Sequence, residues 1–149
     1  MNDVWYAIPH HLLAFGLAAI LAAEVALTAP GLAGDALRRL QRLDGWYGIL
    51  AGLLVVVGVL RVIYAGRGAE FYTSNPVFWA KMAAFAGVGL LSIPPTLRIL
   101  AWSRSARADP TFAAPAADVA TLRRWFAAEL LLFVLIPVFA AMMARGIGL

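Results

Sequence analysis

This sequence predicts an all-α membrane protein whose four transmembrane helices form an up-down-up-down bundle. Of its 149 residues, 63% are hydrophobic and 13% charged, against roughly 45–50% and roughly 25% in an average soluble domain. The apolar residues gather into four long runs separated by arginine-bearing polar segments. Each run is long enough to cross a bilayer, because about 20 helical residues traverse a hydrocarbon core of roughly 30 Å. Little chain lies outside the runs, so a single transmembrane domain is expected over 1–149.

The first span is expected over about 9–29. Trp5 and Tyr6 precede it and suit an interfacial belt. Pro9 is tolerated in a first helical turn, and Pro30-Gly31 stops the helix. The run is read as a retained span and not a cleaved leader. No Lys or Arg precedes it, it is too long, and it carries Glu24. The second span is expected over about 45–64, with Asp44 as its N-cap. The third is expected over about 77–102, opened by Ser74-Asn75-Pro76 and kinked at Pro94-Pro95. The fourth is expected over about 122–145, capped by Thr121 or Asp118, bent at Pro137 and ended by Gly146.

Arginine placement orients the bundle. Arg38, Arg39 and Arg42 lie in the first loop, and Arg104, Arg107, Arg123 and Arg124 in and beside the third. Positive charge favours the cytoplasmic side, so both termini are expected outside. Short connections favour antiparallel sequence neighbours. Small residues spaced by four suggest close helix contacts at Ala19/Ala23, Gly48/Gly52, Ala83/Gly87 and Ala140/Ala144.

The net charge is +4, with an isoelectric point near 10.1 and a mean hydropathy of +0.84. Because the arginines flank apolar runs, they read as orientation and lipid signals, and nucleic acid is excluded as a partner. Membrane lipids are the expected partners, together with a homo-oligomer or a larger membrane complex. The absence of cysteine removes disulfides, thiolate metal sites and iron–sulfur clusters.

Ionisable groups inside a span cost about 2.5–3.5 kcal/mol each on insertion scales, which makes them functional candidates. They fall into two layers. The outer layer holds His10, His11, Arg61, Tyr64 and Lys81, with Arg67 and Tyr72 of the second loop folding over it and Arg145 within reach. Lys81 is the sole lysine, and a buried ammonium differs chemically from guanidinium. Two uses compete for Arg61 and Lys81: reaching out to phosphates, or walling a site. The inner layer holds Glu24, Asp44, Arg98 and Glu129. Glu24 follows His10 by two heptads and shares its helix face. Glu24 and Glu129 are expected to face the bundle interior, at least one of them being neutral or paired with Arg98. A structural ion pair and a proton relay both fit that layer.

His10 or His11 could ligate haem iron, carry protons or sit at the interface. Adjacent helical residues point about 100° apart, so the pair cannot supply both axial ligands of one iron. Met82, Met142 or Met143 are candidates for a second ligand.

The motifs PHHLLAF, LDGWYG, RVIYAGRGAEFY, NPVFWAKM, SIPPTLR and the terminal MARG resemble, over nearly the whole length, a bacterial family of predicted four-helix membrane proteins of unknown activity. The layout more remotely resembles HemJ-type protoporphyrinogen oxidases and CopD-like membrane proteins. Those have a His near the start of one span and a Lys after a Trp opening another. Here His10 or His11, and Lys81 after Trp79, match. That resemblance implies haem b and redox chemistry in the bacterial inner membrane. Two functions follow as expectations. One is a redox protein that binds haem, porphyrin or quinone in an outer polar pocket. The other is a transporter of a small solute or proton, or an accessory subunit.

Overall fold

The computed structural model describes residues 2–64 and 68–148. They form α1 (Asn2–Leu27), α2 (Gly34–Tyr64), α3 (Gly68–Thr73), α4 (Pro76–Ala108) and α5 (Ala116–Ala144). Helices α1, α2, α4 and α5 are long and apolar enough to cross a membrane. The protein is an all-α, multi-pass membrane protein with four spans. Arg67 lies outside the described residues. Tyr72, expected in a loop, belongs to the short α3, whose Thr73 hydroxyl donates to Ala69 O at 3.1 Å.

Helix α1 packs along α2 and α4 along α5, while α2–α4 and α1–α5 contacts close the ring. Each long helix turns a heptad-like stripe inward. On α1 it is Leu17, Leu21, Glu24 and Thr28, on α2 Leu37, Leu40, Asp44 and Tyr47, and on α5 Val119, Leu122, Phe126 and Glu129. The opposite faces expose Phe15, Ile49, Val56, Leu90, Leu97 and Leu131. That pattern would be costly in water. In hydrocarbon the outward side chains contact lipid, and packing and polar contacts hold the helices together.

Helix α2 has 31 residues and α4 has 33. At about 1.5 Å per residue these exceed a core of roughly 30 Å by about 15–20 Å. The surplus projects at the arginine end, where Arg38, Arg39, Arg42, Arg104, Arg107, Arg123 and Arg124 are all exposed. Arg38 pairs there with Asp35. This surplus corrects two expected caps. Asp44 is buried well inside α2, which starts at Gly34. Helix α5 starts at Ala116 after Pro115, so Asp118 and Thr121 are internal, and the Thr121 hydroxyl donates to Ala117 O at 3.0 Å. Hydropathy marks where hydrocarbon begins, but an arginine-bearing helix continues into water without breaking.

The two loops at the arginine end are joined. Ala114 N donates to Leu32 O at 2.9 Å, beside an antiparallel bridge between Ala33 and Ala113. Gly31 and Gly34 turn the chain with φ of 79° and 51°, which favours glycine. Asp109 closes the α4–α5 turn by accepting from the Thr111 N–H at 2.8 Å and hydroxyl at 2.7 Å. These bonds hold its carboxyl below the usual carboxylate range.

The expected small-residue contacts are largely replaced by others. Ala19, Ala83, Ala140 and Ala144 are exposed, and nothing lies within 4 Å of a Cβ built on Gly48 or Gly52. Close approach occurs at Gly87, where an added Cβ would meet Leu132 Cδ2 at 2.6 Å. It also occurs at Gly16, against Leu50 at 3.3 Å. Four-residue spacing identifies a face but not its direction.

At the other end Asn75 ties α4 to the chain after α5. Its Oδ1 accepts from Val77 N at 2.8 Å, capping α4, and its Nδ2 donates to Ile147 O at 3.3 Å. Pro76 follows at the first helical position, where no N–H is needed. Replacing Asn75 by Ala removes both bonds from a fully buried position. Thermal unfolding in detergent should report a loss of about 1–2 kcal/mol, and Asn75→Asp, which keeps the cap alone, should lie between Ala and wild type.

Candidate functional site

The inward stripes bring Glu24 from α1, Asp44 from α2 and Glu129 from α5 to one level of the bundle. Each holds a heptad position that would otherwise carry Leu or Val. Glu24 and Glu129 are both 1% exposed. The three carboxyls lie within electrostatic reach of one another. Asp44 accepts from the Thr96 hydroxyl of α4 at 2.6 Å. Among the described residues Glu24 Oε1 has no hydrogen-bond partner, and the Glu129 oxygens have none in good geometry, their nearest donor being the Tyr47 hydroxyl. Tyr47, one turn beyond Asp44 on α2, lies beside Glu129 and Glu24.

Arg98 does not neutralise this layer. It is exposed and pairs with Asp118 at 3.0 Å, across the α4–α5 interface toward the arginine end. Pro94, Arg98, Asp118, Thr121, Leu122 and Trp125 line a shallow pocket of about 40 Å³ around that pair. The reason is position on the helix. Thr96, two residues earlier on α4, faces Asp44, and a two-residue step turns Arg98 about 200° away from that direction. Buried carboxyls left without a cation form the most polar part of the interior. They are oxygen-rich, but among the described residues no group of three or more His, Cys, Asp or Glu is placed to hold a metal ion.

The second cluster lies toward the termini. His10 of α1, Arg61 of α2 and Lys81 of α4 come within electrostatic reach of one another. The His10 ring packs on Gly58, where an added Cβ would stand 3.5 Å from Cε1. His10 Nδ1 is buried with no partner. Lys81 Nζ sits 5.5 Å from the centroid of the Phe78 ring, and Phe78 in turn meets Tyr72 at 6.0 Å between centroids. His11 is exposed, and its Nδ1 lies 2.6 Å from Ala7 O. It points away from the cluster that its neighbour joins, as adjacent helical residues must. Tyr64 stacks on Tyr6 at 6.3 Å. Of the methionines considered as ligands, Met143 is buried and Met82 and Met142 are half-buried.

Sequence reasoning missed Tyr47 and Thr96. The signal for Tyr47 was its heptad spacing from Leu40 and Leu54, which places it on the same stripe as Asp44. Thr96 carried a weaker signal, a hydroxyl just after two prolines in an apolar run.

Residues 2–148 match the family described as Predicted membrane protein (DUF2214). The chain belongs to this family. Searches of curated proteins and of solved structures give no match. Membership in DUF2214 agrees with the four spans and carries nothing about porphyrin, quinone or transport chemistry.

The Thr96 hydroxyl is a neutral hydrogen-bond partner of the carboxyl cluster. Thr96→Val keeps the shape and removes the donor. A buried acceptor left unsatisfied costs about 1–3 kcal/mol. Thermal unfolding should fall accordingly in Thr96→Val and recover in Thr96→Ser.

Proposed function

We propose that this DUF2214 protein is a proton-coupled membrane transporter whose Glu24, Asp44 and Glu129 load and release protons inside the bundle. The observation that carries this reading is the burial of three mutually facing carboxyls from three helices, two of them 1% exposed, with Arg98 engaged elsewhere. A purely structural polar layer would be expected to pair its groups, because a half-satisfied buried network is worse than an apolar one. Buried carboxyls whose neighbours are hydroxyls and one another suit groups that take up and give away a proton during a cycle. Tyr47 supplies a hydroxyl beside Glu129 through which a proton can pass.

The exposed arginines at one end favour an orientation across a bacterial inner membrane with that end in the cytoplasm and both termini outside. The carboxyl layer then lies toward the cytoplasm, and the His10–Lys81 cluster opens outward. Protons and solute thereby have groups to meet at two depths. The lipid-facing sides leave room for a homo-oligomer or a larger complex, in which this chain could equally serve as an accessory subunit.

A redox reading is favoured by one observation, the aromatic and cationic surroundings of Lys81 and His10. A quinone headgroup suits them: ammonium and imidazole can bond its carbonyls while Phe78 or Tyr72 stacks on the ring. Haem b fits less well. The His10 ring is seated against Gly58, which closes α1 on α2 where a porphyrin would need a broad slot.

The test is proton flux into proteoliposomes, read with an entrapped pH dye under an imposed potential. Wild type should acidify or alkalinise the lumen above empty vesicles. Glu24→Gln with Glu129→Gln should remove the signal while thermal unfolding stays near wild type. Equal flux from wild type and the double variant would rule the reading out. Cysteines at 38 and 104 should label only after the cells are opened, and labelling in intact cells would reverse the orientation.

A further inference from the structure

The basic cluster toward the termini has a feature that lipid anchoring does not explain. Long basic side chains near a membrane surface normally extend along the helix and put their charges in the headgroups. Lys81 instead stays half-buried, with its ammonium beside the Phe78 face. His10 stands across the ring of helices, on α1, its Nδ1 buried without a partner among the described residues. Arg61 completes the wall from α2, within electrostatic reach of both. Helices α1, α2 and α4 thus bring basic groups within electrostatic reach of one another in a region of low dielectric, where like charges repel strongly. An anion between them removes that repulsion and supplies the partner that His10 Nδ1 lacks. Charge-assisted bonds to an oxygen anion are the strongest ordinary hydrogen bonds, and an ammonium offers three donors. Phe78 and Tyr72 add an aromatic wall on one side.

We infer that Lys81 and His10, flanked by Arg61, form a binding site for an oxyanion, a carboxylate or phosphate group lying against the Phe78–Tyr72 wall. This deepens the transport reading by naming its substrate class, and it rests on that reading only for the claim that the bound anion is carried. Two sources share the chemistry: a small soluble anion entering from water, or the phosphate of an anionic lipid.

The purified full chain in phosphatidylcholine nanodiscs is titrated calorimetrically with benzoate and with inorganic phosphate. In parallel, phosphatidylglycerol is added to the nanodiscs and retained lipid is counted by native mass spectrometry. Binding of a soluble anion is expected, weakened about tenfold or more in Lys81→Gln and in His10→Asn, and restored to within a few-fold in Lys81→Arg. Circular dichroism and thermal unfolding establish that each variant is folded. Retention of phosphatidylglycerol that depends on Lys81, with no soluble anion bound, keeps the oxyanion site but makes the lipid its occupant and overturns the solute assignment. Binding of neither, or binding indifferent to Lys81→Gln, overturns the site. If soluble-anion binding behaves as expected while proton flux is absent in proteoliposomes, the site stands and the transport reading falls.

Discussion

Every feature of this bundle follows from one constraint: inside hydrocarbon a polar group must find its partner within the protein. The backbone meets it by remaining helical across the membrane. Side chains meet it unevenly. Thr28 donates to Glu24 O at 2.7 Å, and Thr96 serves Asp44. Glu24 and Glu129 meet it poorly through their carboxyls, with only the Tyr47 hydroxyl near Glu129, although both are 1% exposed. Among the described residues His10 Nδ1 and Ser103 Oγ likewise lack a partner, and the proposed proton transport rests on the carboxyls alone.

The same constraint shapes the ends. Where the helices leave hydrocarbon, water satisfies the arginines, and the helices extend as exposed, charged turns. The loops beneath are then stitched by Ala114 to Leu32 and by the Ala33–Ala113 bridge. At the opposite end Asn75 caps α4 and holds the chain that follows α5. Both ends therefore fix α4 relative to its neighbours, and α4 carries both Thr96 and Lys81. One helix presents a residue to each polar layer, so a shift of α4 would alter both layers together.

Much of this was legible in the sequence. Four apolar runs specified the spans, and the arginines specified which turns meet water. The acids could be placed inside because an acid at a heptad position between leucines has nowhere else to point. Arg98 is legible in the sequence by depth alone. It shares a level with the acids but not a direction, and the deciding quantity is the two-residue angular step from Thr96. Helix starts were misplaced for a related reason: hydropathy senses the solvent boundary, whereas backbone continuity depends on local propensity. Outward glycines such as Gly48 and inward ones such as Gly87 look alike in sequence, because direction comes from the neighbouring helices.

Infrared spectroscopy of the protein in lipid tests the central claim most directly, since a protonated carboxyl has its own carbonyl band. If Glu24 and Glu129 exchange protons with water, that band should rise and fall as the bulk pH is stepped, shift in heavy water, and lose the two glutamates' share of its intensity in the Glu24→Gln, Glu129→Gln variant. A band that ignores bulk pH, or one that titrates unchanged in that variant, would contradict the account.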